Sequence, residues 1–272
     1  VSRDKLAKEQ PVSKGHALVT GASGGIGLEI ARLLARRGDR LILVARSRDK
    51  LTALVEEFGK AGSPEVTALP ADLGSVAGVR TLLGELSRRG LQVDTLVNNA
   101  GFGSAGGFAS QDAGEQLGMV ELNITGLTLL TRELLPGMLQ RKRGAILNVA
   151  STAAFQPGPF LAVYYATKAY VLSLSEALRV ELQGTGVRVV TLCPGPTATG
   201  FADRARMNNS RMFRAGTVMA AGTVAQEAVD QLDRGGLVVP GILNKLLIQS
   251  QRIAPRALVM AITRRLNANR SP

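Results

Sequence analysis

Histidine and cysteine are nearly missing: His16 and Cys193 stand alone among 272 residues. One of each leaves no room for a conventional zinc site or a Ser-His-Asp triad. A lone cysteine cannot form an intrachain disulfide, which fits a reducing compartment. In the stretch VRVVTLCPG, Cys193 reads as a small buried residue at a strand end, not a nucleophile. Tryptophan is absent and aromatics make up 4%, so the net charge of +12 has no stacking platform interleaved with it. Nucleic acid is therefore not an expected partner. The basic residues spread along helical stretches, at Arg32, Arg36 and Arg37, then Arg141, Lys142 and Arg143, then Arg204, Arg206, Arg211 and Arg214. Anionic small molecules, phosphates or a membrane surface suit them better. No apolar run approaches the ~20 residues that span a bilayer. The N-terminal VSRDKLAKEQPVSKG lacks the apolar core of a secretory signal, and a cytoplasmic location is the expectation.

What is present is an alternation of strand and helix patterns. Hydrophobic residues at 45% and charged residues at 20% suit one large α/β domain with a buried core. After an arm of residues 1–14, expected to be flexible, His16 to Thr20 form a short apolar strand. It runs into Gly21-Ala22-Ser23-Gly24-Gly25-Ile26-Gly27, and a helical pattern then continues to Gly38. Strand, glycine-rich turn and helix together make a phosphate-binding hypothesis. Gly21 permits the tight turn, Gly25 a close backbone approach, and Gly27 close packing of helix on strand. The helix N-terminus offers N–H groups and a positive dipole end to a pyrophosphate.

The second strand, 40–45, ends at Ala45, where an NAD site would carry an acidic residue for the ribose hydroxyls. Arg46 and Arg48 follow. A guanidinium pairs with phosphate through two parallel hydrogen bonds, so these residues point to a 2′-phosphate and hence to NADP(H). Asp49 is placed at a helix start, where a carboxylate is favoured by the dipole. Helix 48–61, strand 65–70, helix 75–89 and strand 94–97 continue the pattern. Asp72 follows the third strand at the carboxyl edge, as an adenine contact or as a helix cap. Asn98-Asn99-Ala100-Gly101 follow the fourth. One long helix is expected over 112–141, with Asn123 amid apolar residues in a structural or relay role. Strand 144–149 delivers Ser151. Helix 161–183 carries Tyr164 and Lys168, four residues apart on one face, where the cation would favour the phenolate. Strand 187–192 leads to Cys193-Pro194-Gly195-Pro196-Thr197, and helix 223–234 and strand 237–240 complete a parallel, doubly wound sheet.

From Thr197 to about Gly222 the pattern breaks down around Phe201, Met207, Met212, Phe213 and Met219. A stretch this long reads as a substrate lid. The tail from Gly241 to Pro272 has no acidic residue. It reads as one or two basic amphipathic helices that pack on the domain, cover a dimer face or lie on an anionic membrane. The expected division is an arm at 1–14, a catalytic domain at 15–241 with its lid at 197–222, and the extension at 242–272.

The chain resembles the short-chain dehydrogenase/reductase family over roughly residues 15 to 240. The residues that carry the resemblance are Thr20-Gly21 to Gly25-Ile26-Gly27, Asp72, Asn98 to Gly101, Asn123, Ser151, Tyr164 with Lys168, and Pro194-Gly195. The family resemblance implies a Rossmann fold with seven parallel strands in the order 3-2-1-4-5-6-7. It also implies a nicotinamide cofactor and homodimers or homotetramers built on the long helices. Ser23, Ile26, Leu73, Asn99, Ala100, Gly101, Pro194, Gly195 and Thr197 join the glycines, Arg46, Arg48 and Asp72 as its cofactor-binding positions. The resemblance makes Tyr164 the proton donor or acceptor and Lys168 both the group that lowers the tyrosine pKa and a ribose ligand. It makes Ser151 the partner of the substrate oxygen and Asn123 the holder of a relay water. The implied reaction interconverts a ketone or aldehyde and an alcohol on an apolar substrate. A cofactor-binding module without chemistry and an NAD-dependent alcohol dehydrogenase are the alternatives.

Overall fold

The computed structural model describes residues 15–63, 65–207, 210, 218–251 and 253–268. The arm at 1–14, and Arg211, Met212, Phe213 and Arg214 of the expected lid, lie outside them. Seven strands form one sheet: β1 (His16–Thr20), β2 (Arg40–Ala45), β3 (Val66–Pro70), β4 (Val93–Asn98), β5 (Gly144–Val149), β6 (Val187–Leu192) and β7 (Gly236–Val238). Their order is β3-β2-β1-β4-β5-β6-β7, with parallel pairing throughout. Leu18 sits opposite Ile42 on one side and Leu96 on the other.

Alternation along each strand divides the core into two layers. Ala17 and Val19 point with Leu41, Leu43 and Leu147 toward helices α1 (Gly25–Arg36), α2 (Arg48–Lys60) and a later helix at Ala221–Asp230, which contributes Val224 and Ala228. Leu18, Ile42, Leu96 and Ile146 point the other way, onto α3 (Val76–Arg88) through Val79 and Leu82 and onto the helix Leu127–Gln140 through Leu130 and Met138. Each such side chain contributes roughly 1.5–3 kcal/mol on leaving water. With both faces covered, the strands carry near-continuous apolar runs, as buried parallel strands do.

The single helix expected over 112–141 is present, with a π-helical turn inside it. The segment α4 (Ala113–Val120), capped by Asp112, gives way to a π-helical turn at Glu121–Gly126, and α5 (Leu127–Gln140) follows. At the turn, Gly126 lies so close to the chain after β3 that an added Cβ would meet the Leu73 carbonyl oxygen at 2.3 Å. Beyond β5, α6 (Ala162–Glu181) crosses the sheet, and β6, α7 (Ala221–Asp230) and β7 close the alternation. A two-residue ladder pairs Thr197–Ala198 with Met219–Ala220. The tail forms two helices, α8 (Ile242–Gln251) and α9 (Arg256–Asn267). Both pack across the carboxyl edge of the sheet and line the cavity there. No described helix is long and apolar enough to cross a membrane.

Candidate active site

The turn after β1 is held by its neighbour β4. The Thr20 hydroxyl donates to the Val97 carbonyl (3.0 Å) and accepts from the amides of Asn99 (2.9 Å) and Ala100 (3.0 Å). The Asn99 amide group donates in turn to the carbonyls of Thr20 (2.9 Å) and Gly21 (3.2 Å). This lattice leaves no space for side chains. A Cβ on Gly27 would sit 2.3 Å from Asn99 Nδ2 and 2.6 Å from Gly21 O. Gly21 and Gly25 adopt φ of 64° and 57°, which β-carbons disfavour. No side chain caps the first turn of α1 and no carboxylate lies in it. Its N–H groups and dipole end therefore face the cavity available to an anion.

Arg46 and Lys50 line the same end of the cavity, and among the described residues neither pairs with a carboxylate. Arg48, expected to join Arg46, does not line the cavity, and Lys50 takes that place. The reason is helix phase: Ser47 caps α2 by accepting from the Lys50 amide (3.4 Å), which fixes where each following side chain points. Asp72 lies at the cavity wall beside Leu73, and its carboxylate accepts from the Gly74 amide (3.1 Å). The cap of α3 is Ser75, which accepts from Gly78 (3.0 Å), so Asp72 is not that cap.

Asn123 is buried in the π-turn and does not line the cavity. Its amide donates to Phe102 O (2.9 Å) and Thr167 Oγ1 (3.0 Å), and its oxygen accepts from the Phe102 amide (3.1 Å). It thus ties α6 to the loop after β4. The added residue of the π-turn swings Asn123 inward. Across Gly101, a Cβ would lie 2.9 Å from Asn123 Oδ1 and 3.6 Å from Lys168 Nζ, so this glycine keeps the two groups within reach of a common space.

Ser151, Tyr164 and Lys168 converge on the cavity. The Ser151 hydroxyl accepts from the Ala153 amide at 3.1 Å and donates to Pro194 O at 3.4 Å, and it favours ionisation of the nearby Tyr164 hydroxyl. Lys168 Nζ lies 5.8 Å from the Tyr164 ring centroid and donates to Val149 O at 2.7 Å. The geometry corrects the expected electrostatics. Burial pushes the Tyr164 hydroxyl well above its ordinary pKa, with the Ser151 hydroxyl opposing it, and Lys168 is not among the causes. Burial also lowers the Lys168 ammonium to about 8. In this environment desolvation outweighs the cation's pull on the phenol. Cys193 is fully buried and its thiol is pushed up to about 12 by burial, as befits a core residue. Among the described residues no group of three His, Cys, Asp or Glu side chains could hold a metal.

The cavity encloses about 860 Å³. Pro194, Gly195 and Thr197 line its centre, and Phe201 and Met207 its far side, the Phe201 ring lying 5.1 Å from that of Tyr164. Leu247, Leu258, Ile262 and Leu266 of α8 and α9 form an apolar wall. Sequence reasoning missed this wall. The acid-free amphipathic pattern marked helices, but nothing in it named the surface they cover.

The family model described as short chain dehydrogenase matches residues 15–210. A protein of Streptomyces violaceoruber, named after the granaticin polyketide synthase and ketoacyl reduction, is 41% identical over 197 residues, 71% of this chain and 72% of that protein. The ketoacyl reductase HetN of a Nostoc species is 30% identical over 246 residues, 89% of this chain and 85% of that one. Among solved structures, a short-chain dehydrogenase from Sphingobium yanoikuyae in complex with NADPH superposes with a TM-score of 0.79. It is 33% identical, and the match covers 90% of this chain and 95% of that one.

Proposed function

Because this chain belongs to the short-chain dehydrogenase/reductase family, we propose that it is an NADP(H)-dependent reductase of an acyl-chain or similarly apolar carbonyl compound. The observation that carries this reading is one cavity holding both halves of the chemistry. The uncapped α1 terminus, Arg46 and Lys50 lie at one end. Ser151, Tyr164 and Lys168 lie beneath an apolar wall at the other. The residues fit a phosphorylated dinucleotide: the glycine turn excludes side chains where a pyrophosphate must approach, and two cations without carboxylate partners suit a 2′-phosphate. The bound nicotinamide supplies the hydride.

The protein's part is proton management and orientation. Ser151 Oγ donates to the substrate carbonyl oxygen and stabilises the charge that develops there. Tyr164 gives its proton to the same oxygen in reduction, or takes it in oxidation. The high pKa of Tyr164 keeps the donor protonated at neutral pH. Lys168, as an ammonium, stabilises the phenolate left behind and holds the ribose. Asn123 anchors the floor beneath it and, across Gly101, a route for its proton toward solvent. Relatives named for ketoacyl reduction and the Leu247–Leu258–Ile262 wall support the apolar substrate. The lid is then formed by the chain around Phe201 and Met207 together with α8 and α9. Assembly into dimers or tetramers is proposed through the outer faces of α4 and α6, where Leu117 and Val180 are exposed.

The test is a panel of 3-ketoacyl thioesters, aromatic and aliphatic ketones, and sugars, followed at the NADPH absorbance. Turnover of the apolar carbonyls is expected, falling at least ~100-fold in Tyr164→Phe with NADPH binding retained. Turnover of sugars or polyols alone, or an unimpaired Tyr164→Phe protein, would overturn the reading.

A further inference from the structure

The two C-terminal helices present apolar side chains on two sides, one to the cavity and one to solvent. Their buried positions are Asn244, Ile248, Thr263 and Asn267, whereas Ile242, Leu243, Leu246 and Met260, with Ile253 between the helices, face solvent. The polar residues are committed inward: Asn244 donates to Pro240 O at 2.7 Å, and Asn267 donates to Pro159 O at 3.0 Å while accepting from Tyr165. Ile242 is 73% exposed and Ile253 89%, beyond what scattered surface residues require. Ile242, Leu243 and Leu246 share one turn of α8, and an exposed apolar patch of this kind marks a docking face. Its surroundings carry charge of one sign. Lys245, Arg256, Arg264 and Arg265 are exposed, and no acidic residue occurs from Gly241 to Pro272.

We infer that this face docks on an anionic lipid surface. Apolar side chains bounded by cations are what an interfacial helix presents to a bilayer. A second copy of the same face would set these cations against each other with no carboxylates to offset them. The outward apolar residues also run into Leu247, Leu258 and Ile262, which are half-exposed and line the cavity mouth. A docked molecule therefore turns that mouth toward the bilayer, and an apolar substrate enters without crossing water. This entry route rests on the apolar-substrate reading; the lipid contact does not.

The experiment sediments the full chain with vesicles of phosphatidylcholine alone or of phosphatidylcholine with phosphatidylglycerol. Two variants are compared: Ile242→Asp/Leu246→Asp, which breaks the apolar face, and Lys245→Glu/Arg256→Glu, which leaves that face intact. None of these four residues lines the cavity, so turnover of a small water-soluble ketone is expected to stay within twofold and reports that both variants are folded. Expected results are binding to the anionic vesicles, release by salt, and partition lowered about thirty-fold or more by the charge reversal. The apolar double variant is also expected to lose binding. No preference for anionic vesicles, or unchanged binding by both variants, would overturn the inference. So would a concentration-dependent dimer that Ile242→Asp/Leu246→Asp abolishes, or binding of an acidic protein at this face in place of lipid.

Discussion

Replacing Lys168 by methionine should abolish catalysis and at the same time make the protein more stable at neutral pH. The side chain is 7% exposed, and burial lowers its ammonium from the ordinary 10.5 to about 8. Charging it inside the fold at pH 7 therefore costs about 3 kcal/mol relative to the unfolded chain. Its hydrogen bond to Val149 O at 2.7 Å returns part of that in the parent and is lost in the variant. A net gain of about 1–2 kcal/mol remains, or roughly 3–6 °C in melting temperature for a chain of this size. The sign with pH follows from proton counting. Between about 8 and 10.5 the unfolded lysine holds a proton that the folded one has lost, so the parent gains stability as pH rises through that window. The Lys168→Met protein has no such dependence, so the gap narrows above about pH 8, vanishes near about pH 9 and has reversed in the parent's favour by about pH 10.5. Urea midpoints measured from about pH 6.5 to 10.5 without cofactor test this. Taking the difference between the two proteins cancels every other titrating group. A variant less stable at pH 7, or a gap that does not change with pH, would refute the argument that desolvation governs this lysine.

Three further outcomes follow from the geometry. Arg46→Ala should raise KM for NADPH about 10- to 100-fold and leave that for NADH unchanged, because only the 2′-phosphate loses a charge-assisted partner; equal effects on both cofactors in steady-state kinetics would count against it. Gly27→Ala places a Cβ 2.3 Å from Asn99 Nδ2, so dinucleotide affinity measured by calorimetry should drop at least ~10-fold. Asp94, buried in β4 and paired with Arg141 Nε at 3.2 Å and an Arg143 nitrogen at 2.9 Å, supports the fold far from the chemistry. Asp94→Ala should cost about 3 kcal/mol in denaturation, with kcat per folded molecule unchanged.

Much of the site was legible because it is local. The turn from Thr20 to Gly27 is read from strand, glycines and helix in one stretch, and Tyr164 and Lys168 are joined by helical spacing alone. A parallel, doubly wound sheet needed only the alternation of elements, whereas the strand order came from the family resemblance. What escaped depended on phase and on distant partners. A π-turn inserts one residue into a helix without a propensity signature, so the turn at Glu121–Gly126 was not visible around Asn123. Arg48 and Lys50 differ only in where the Ser47 cap starts α2. The pKa of Tyr164 was misjudged because spacing announces a neighbouring cation, whereas burial is a property of the whole fold. Composition marked the tail from residue 242 as helical but could not tell that α8 and α9 line the same cavity as Ser151 and Tyr164.

Tyr164 and Tyr165 are consecutive, yet they answer to opposite ends of the chain. About 100° of helix rotation separates them. The first lines the cavity with Ser151, while the second donates to Asn267 of α9 at 3.2 Å, its ring packed against Gly158. One turn of α6 thus carries both Tyr164 and the latch of the last helix. Any opening of α9 wide enough to break the Tyr165–Asn267 bond acts on the residue adjoining Tyr164. The last helix of the tail is thereby tied to a side chain one peptide unit from Tyr164.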